Sequence, residues 1–166
     1  SNKSVTISAS DIIILDNGGR VINLQEGGTL NLTATGGNIV FLNQKDTLAV
    51  GSGNISFVAN YASSDRGYSG AIVTGNLTTT NGGNINVEAA SNITIGMLDA
   101  GNTGNVTVNA HNGIIIDGNG AAQNIRGNVV TLSAKTPDQK TTTNNCSKGE
   151  RPAARSAVVY ELHYLG

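Results

Sequence analysis

A phrase of alternating aliphatic and polar residues that ends in alanine constrains this chain more than any other feature. Its six copies are Val5–Ala9, Leu30–Ala34, Ile55–Ala59, Ile85–Ala89, Val106–Ala110 and Val130–Ala134. Their first residues are spaced 25, 25, 30, 21 and 24 residues apart. Self-similarity with a period in the twenties is typical of solenoids, in which each repeat forms one coil. The copies therefore predict about five to six stacked coils.

Each period divides into three short extended segments, which in the first coil are residues 5–9, 11–15 and 20–24. Alternation sends the aliphatic residues to one face and the polar residues to the other. Corners such as Asn17-Gly18-Gly19 contain glycine and asparagine, which tolerate the positive φ of tight bends. Because one such strand cannot bury its apolar face, stacked coils are expected, with aliphatic columns inside and columns of Asn, Thr and Ser outside.

The repeats divide the chain into two parts. Residues 1–134 are predicted to form a parallel β-helix shaft, and residues 135–166 a non-repeat tail. The tail contains both prolines, the only cysteine (Cys146) and five of the ten basic residues. Its end, residues 158–165, has the composition of a strand. It is interpreted as a cap over the last coil, or as a linker to a different module, and we favour the cap.

The 30-residue interval between Ile55 and Ile85 indicates an insertion at residues 61–70. Extra residues in one coil of a solenoid are extruded as a surface loop. This loop is either a contact loop or a length variant without a partner. As a contact loop its binding residues would be Tyr61, Asp65, Arg66 and Tyr68, because Tyr and Arg are enriched at the energetic centres of interfaces.

Composition excludes several classes of function. The formal net charge is −1, so neither nucleic acid nor an anionic membrane is an expected partner. No apolar run approaches the roughly 18 residues of a membrane-spanning helix, so no span is predicted. With Cys146 as the only cysteine, an internal disulfide framework and a cysteine-rich zinc site are both excluded.

Parallel β-helices include polysaccharide lyases and hydrolases, which need carboxylates from adjacent coils in one groove. Aligning Ile93-Thr94-Ile95 with Ile114-Ile115-Ile116 places Asp117 over Gly96 and Asp99 under Gly120. The acids then do not cluster, which predicts a protein that is not an enzyme and needs no cofactor.

Metal sites are not expected either. His111 has no second histidine or cysteine at ligand spacing, so a solvated turn histidine is the better interpretation. The turns at Asp16 and Asp117 lack the nine-residue spacing of calcium-binding repeats and are interpreted as ordinary turns.

Asparagine recurs at the starts of strands. Asn54, Asn92 and Asn105 begin Asn-x-Ser/Thr triplets, which follow from polar–apolar alternation and also match glycan acceptors. Alternatively, Asn54, Asn84 and Asn105 form a side-chain ladder along one corner of the solenoid, which would make them structural.

Residues 83–89 (Gly-Asn-Ile-Asn-Val-Glu-Ala), 91–96 (Ser-Asn-Ile-Thr-Ile-Gly) and 104–110 (Gly-Asn-Val-Thr-Val-Asn-Ala) resemble the repeats of the filamentous haemagglutinin family. The resemblance covers residues 4 to about 134 and implies an all-β fold, a right-handed single-stranded parallel β-helix. It further implies a bacterial exoprotein exported by two-partner secretion. The Asn-Pro-Asn motifs of that family's secretion domain are not found in this sequence.

The resemblance implies a non-enzymatic adhesin segment, secreted or on the bacterial cell surface or outer membrane. Its partners would be a host or neighbouring cell-surface glycan or protein, and an outer-membrane transporter during secretion. The alternatives are a polysaccharide lyase or hydrolase, or a carbohydrate-binding module, on the same fold. A carboxylate cluster across coils would favour the enzyme, and a groove of exposed aromatic residues would favour the carbohydrate-binding module.

Overall fold

The chain folds as an all-β solenoid of about five turns, in which three parallel sheets run along one axis. The computed structural model describes residues 4–24, 27–59 and 70–135, and the backbone of residues 159–160. The first sheet contains β1 Val5–Ala9, β4 Leu30–Ala34, β7 Ile55–Ala59, β10 Ile85–Ala89, β13 Val106–Ala110 and β16 Val130–Ala134. The second contains β2 Ile12–Ile14, β5 Ile39–Phe41, β8 Ile72–Val73, β11 Ile93–Ile95, β14 Ile115–Asp117 and β17 Val159–Tyr160. The third contains β3 Val21–Leu24, β6 Thr47–Val50, β9 Asn76–Thr79, β12 Leu98–Asp99 and β15 Ile125–Arg126.

Register in the first sheet confirms the period predicted from sequence. Each copy of the repeated phrase pairs in parallel with the next, residue for residue, from Val5 with Leu30 to Val106 with Val130. Coils of different length keep this register because the extra residues lie in the corners between sheets. The strands therefore determine the fold, and the corners absorb the variation in length.

Inward-facing residues form columns of like side chains along the axis. The second sheet contributes a column of isoleucine at Ile12, Ile39, Ile72, Ile93 and Ile115. The first sheet contributes a column of alanine at Ala9, Ala34, Ala59, Ala89, Ala110 and Ala134. Large residues fill the centre, where the rings of Phe41 and Phe57 stack with centroids 6.1 Å apart. Like-on-like packing lets one short repeat close a continuous core.

Glycines stack at the corner that leads from the third sheet into the first. A methyl group at Gly53 would overlap the carbonyl oxygen of Gly28, one at Gly83 that of Gly53, and one at Gly104 that of Gly83. Successive coils therefore approach within backbone contact at this corner. Only glycine allows so close an approach, which explains why the phrase Gly-Asn precedes β7, β10 and β13.

In the sequence, the predicted insertion falls between β7 and β8. Tyr61, Asp65, Arg66 and Tyr68 are outside the described residues. Most of the predicted tail is also outside them, apart from Lys135 and the backbone of β17. In β17, Val159 pairs in parallel with Ile115, and Tyr160 with Ile116. The second sheet is thereby extended by one strand beyond β14. The described residues include no helix long and apolar enough to cross a membrane.

Candidate binding face

The outer face of the first sheet presents two columns of side chains that are polar at every position except Val58. The column nearer the strand starts contains Thr6, Asn31, Ser56, Asn86, Thr107 and Thr131. The second column contains Ser8, Thr33, Val58, Glu88, Asn109 and Ser133. Neighbours within a column are about 4.8 Å apart, and the columns about 7 Å apart, because strands and alternate residues have these spacings. This set of side chains is called the polar face below.

Most side chains of the polar face have hydroxyl or amide groups. Within its two columns, Glu88 is the one charged residue. The side chains of its four central strands are half-buried by their neighbours above and below. At the first coil, the amide nitrogen of Asn31 donates to the hydroxyl of Thr6 at 3.4 Å. Asn109 lies against the His111 ring, with Nδ2 and Nε2 3.1 Å apart. The face is therefore nearly neutral and able both to donate and to accept hydrogen bonds.

The second sheet has a different outer face. Its corresponding column contains Ile13, Val40, Val73, Thr94 and Ile116, so four of the five positions are aliphatic. Hydroxyl and amide groups therefore occur on every strand of the first sheet's outer face, whereas this column of the second sheet is mostly aliphatic.

Asparagine forms the predicted corner ladder before the first sheet. The Oδ1 atom of Asn54 accepts from the backbone N–H of Asn84 at 2.8 Å, and Oδ1 of Asn84 accepts from that of Asn105 at 2.8 Å. Asn105 in turn accepts from the backbone N–H of Val129 at 3.2 Å. These asparagines therefore connect successive coils, which confirms the structural interpretation of the ladder.

The second sheet has a similar ladder at its entry corner. Asp11 accepts from the backbone N–H of Asn38 at 2.7 Å, and Asn38 accepts from that of Ala71 at 2.8 Å. Asn92 accepts from the backbone N–H of Ile114 at 3.0 Å. In the triplets that begin at Asn54, Asn92 and Asn105, the side-chain oxygen of the asparagine therefore accepts a hydrogen bond from the backbone of the next coil.

The predicted alignment of the acidic residues was wrong by one position in the second sheet. Ile93 pairs with Ile115 rather than with Ile114, so Asp117 lies over Ile95 and not over Gly96. Asp99 pairs with Arg126 and does not lie under Gly120. The cause is one extra residue between Ala110 and β14, accommodated where Gly113 packs closely on the backbone of Ser91 and Asn92.

Asp117 and Asp99 each accept a hydrogen bond from a backbone N–H two residues further along the chain. Asp117 accepts from the backbone N–H of Asn119 at 2.6 Å and from the fully buried amide of Asn124 at 2.8 Å. Asp99 accepts from the backbone N–H of Gly101 at 2.8 Å and lies 3.8 Å from the guanidinium of Arg126. No group of three or more His, Cys, Asp or Glu side chains at metal-binding distance occurs among the residues described.

Sequence reasoning missed the role of Asp46. This side chain is fully buried, and its two oxygens accept from three backbone N–H groups of the preceding coil. The donors are Asn17 at 2.7 Å, Gly19 at 2.7 Å and Arg20 at 3.2 Å. Several N–H groups converging from one turn make a site for an anion, and here the anion is supplied by the next coil. No motif marks it, because the donors lie 26 to 29 residues away.

Asp16 caps the same turn from outside. It accepts from the Asn43 side chain at 2.8 Å and from the backbone N–H of Gly18 at 2.8 Å. These two hydrogen bonds, the one from Asn43 first, lower the pKa of Asp16 below its ordinary value. Asp16 and Asp46 are thus turn-forming groups, which agrees with the ordinary-turn interpretation at Asp16.

Comparisons with known proteins add nothing to this description of the fold and the polar face. Comparison with protein-family models, with curated proteins and with solved structures gives no match. The β-solenoid is compatible with a β-helix repeat protein, and the structure alone supports that level of classification.

Proposed function

We propose that the chain is a non-enzymatic segment of a bacterial adhesin, secreted or displayed on the cell surface, and that it binds through the polar face. The observation that carries the proposal is that outward-facing hydroxyl or amide side chains occur on all six strands of the first sheet. The sequence resemblance to filamentous haemagglutinin repeats supports the adhesin assignment. The solenoid acts as a rigid shaft that carries the face.

The chemistry of the polar face suits a glycan or a polar protein surface on a host or neighbouring cell. Hydroxyl and amide groups donate and accept, as sugar hydroxyls and peptide groups do. The strands hold these groups in fixed positions, so binding costs little conformational entropy. Each contact is weak, but a periodic face offers many at once, and linked weak contacts raise the overall affinity.

Export belongs to the same proposal. An outer-membrane transporter would pass the chain unfolded, and stacking of coils would then assemble the shaft outside. No cofactor is required for this role. The insertion residues Tyr61, Asp65, Arg66 and Tyr68 are proposed as a second contact.

The test begins with a binding screen of the full chain against glycans and matrix proteins. Replacing Asn86 and Thr107 by Ala together should weaken binding of any ligand found, because both lie at the centre of the polar face. The matched control is Thr78→Ala, at an outward position of the third sheet. It should leave binding unchanged, since a threonine is lost away from the face.

A second arm separates the face from the insertion. If Tyr61→Ala with Tyr68→Ala abolishes binding while the Asn86 and Thr107 replacements do not, the insertion is the contact and the polar face is not. Binding unaffected by either pair, with circular dichroism showing folded variants, would remove both from the proposal.

A further inference from the structure

Asparagine is followed by glycine at four positions of the chain: Asn17, Asn81, Asn112 and Asn119. Such a pair can modify itself, because glycine has no Cβ to keep its backbone nitrogen away from the asparagine side chain. The nitrogen loses its proton and bonds to Cγ, and Nδ2 takes up a proton and leaves as ammonia. Water then opens the resulting succinimide ring at either carbonyl, which gives aspartate or isoaspartate. The reaction requires rotation of the peptide group between the two residues, so hydrogen bonds and close packing slow it.

Hydrogen bonds hold the pair at Asn17. The nitrogen that would attack, that of Gly18, donates to Oδ1 of Asp16 at 2.8 Å. The backbone N–H of Asn17 donates to Oδ2 of the buried Asp46 at 2.7 Å. Rotation of the peptide group between Asn17 and Gly18 would break the first of these bonds. This pair is therefore protected although Gly18 is exposed.

The pairs at Asn112 and Asn119 are protected in two other ways. The side-chain amide of Asn119 donates to the carbonyl oxygen of Gln123 at 2.7 Å, and the backbone N–H of Asn119 donates to Asp117 at 2.6 Å. These bonds fix the amide that would be attacked. Asn112 is exposed, but Gly113 is buried, and a methyl group on it would overlap the backbone of the preceding coil. The Gly113 nitrogen therefore has no room to turn towards the Asn112 side chain.

Asn81 has none of these restraints. It lies with Gly82 at the tip of the turn between β9 and β10, and both residues are exposed. Among the residues described, neither the Asn81 side chain nor the N–H of Gly82 makes a hydrogen bond. The nearest atom to a methyl group placed on Gly82 would be Thr103 Oγ1, at 3.9 Å, which leaves room for a ring. The turn is closed at its base, where the N–H of Gly83 donates to the carbonyl oxygen of Thr80 at 3.2 Å, so its tip is free to rotate.

The backbone of Asn81 is also in a disfavoured conformation. Its φ of 52° is the one positive φ of a non-glycine residue in the part of the chain described. Residues with a side chain persist in this left-handed region only where their surroundings hold them, although asparagine tolerates it better than most. Because the tip of the turn has so few contacts, the rotation that precedes attack is only weakly opposed.

We propose that Asn81 is a deamidation site, at which the Gly82 nitrogen converts the asparagine to aspartate and isoaspartate while the other three pairs stay intact. The corner can accept the product, since isoaspartate adds one backbone atom and corners between the sheets already differ in length. The modified chain has one more negative charge than the formal −1 of the sequence. This modification does not depend on what the polar face binds.

Incubation of the folded full chain at neutral and at alkaline pH, followed by peptide mapping with mass spectrometry, tests the proposal. Asn81 should react about tenfold faster than any other pair, because a hydrogen bond that must first be lost slows a reaction by up to about this factor. Alkaline pH should accelerate the reaction, since the attacking nitrogen must lose its proton. In urea the four rates should become similar, because protection is lost with the fold.

Three outcomes of this experiment would overturn the proposal. The first is a rate at Asn81 in the folded chain as low as the rates of the other pairs. The second is a faster reaction at Asn17, Asn112 or Asn119. The third is a preference for Asn81 that persists unchanged in urea, since that would assign it to the local sequence and not to the fold.

Removing one protecting contact tests the cause. Asp16→Ala frees the N–H of Gly18, so deamidation at Asn17 should rise several-fold while the rate at Asn81 stays unchanged. Asp99→Ala is the matched control, because it removes an equivalent hydrogen bond, from a carboxylate to the N–H two residues on, in a turn without an Asn-Gly pair. It should change neither rate. If Asp16→Ala leaves Asn17 as slow as before, in a chain that circular dichroism shows to be folded, the contrast between the pairs does not arise from these contacts and the proposal fails.

Discussion

The central coils and the first coil have the same pattern of residues but differ in burial. In β7 and β10 the inward residues are fully buried or nearly so, and the outward ones are half-buried. In β1 the same alternation leaves four of five residues exposed. Alternation therefore decides which face a side chain takes, but burial requires a coil on both sides. Stability should accordingly be highest in the middle of the solenoid.

Truncating inward residues should show this difference most strongly. Phe57→Ala removes a fully buried ring that stacks on Phe41, and we expect a loss of about 3–5 kcal/mol in the free energy of unfolding. Ile7→Ala removes a half-exposed side chain and should cost about 1 kcal/mol. Denaturant unfolding measures both. Equal costs would contradict the comparison.

Glycines at the corners give a second comparison between the central coils and the first coil. Gly83→Ala places a methyl group against the backbone of Gly53. Because the two coils must move apart to accommodate it, we expect a loss of about 3 kcal/mol in the free energy of unfolding. Gly18→Ala in the first coil meets nothing within 4 Å, so only its φ of 72° opposes the change. That should cost about 1 kcal/mol. Thermal or denaturant unfolding measures the loss of stability in the two variants. A larger loss in Gly18→Ala than in Gly83→Ala would contradict the prediction.

Asp46 joins the first coil to the second, so its replacement should weaken that junction. In Asp46→Asn an amide donor would face a backbone N–H, and we expect a loss of about 2–3 kcal/mol. Amide hydrogen exchange should accelerate in residues 17–20 before it does in β10. The control Asp99→Asn alters a partly exposed carboxylate in a central coil and should cost under about 1 kcal/mol.

The asparagine ladder should contribute less than the core. Asn84→Ala removes the acceptor for the Asn105 backbone N–H and should cost about 1 kcal/mol, because water reaches this exposed corner. Asn86→Ala, two residues away on the polar face, is the matched control and should have almost no effect on stability. If the two variants unfold alike, the corner hydrogen bonds do not stabilise the stack measurably.

Protonation of Asp16 should have the smallest effect on the free energy of unfolding. Its pKa is lowered in the folded state, so its contribution to stability is present above the unfolded pKa and is lost as pH falls through the folded value. Asn43→Ala removes the larger cause and should raise the midpoint of an NMR-monitored titration. A midpoint unchanged by that substitution would assign the shift to the Gly18 hydrogen bond instead.

Much of the fold could be predicted because the repeated phrase aligns without gaps. Alignment by counting residues failed at Asp117. The corner before β14 has one residue more than the corner before β11, and Ile114-Ile115-Ile116 can be aligned with the preceding strand in two registers. The Asp46 site could not be found, since it depends on which coil stacks on which turn. Of the candidate binding residues, the polar face follows from alternation, whereas Tyr61, Asp65, Arg66 and Tyr68 lie outside the described residues and stay a prediction.

Coil-on-coil hydrogen bonding also determines how such a shaft would respond to tension. The first and last coils lie at opposite ends of the axis, so a pull between them loads the coils in series. Each coil is held by the bonds to its neighbour and would peel away by itself. A released coil of 25 residues would lengthen the chain by about 80 Å. In the adhesive role proposed above, a cell pulled by flow would then meet a tether that extends in steps while the remaining coils stay folded.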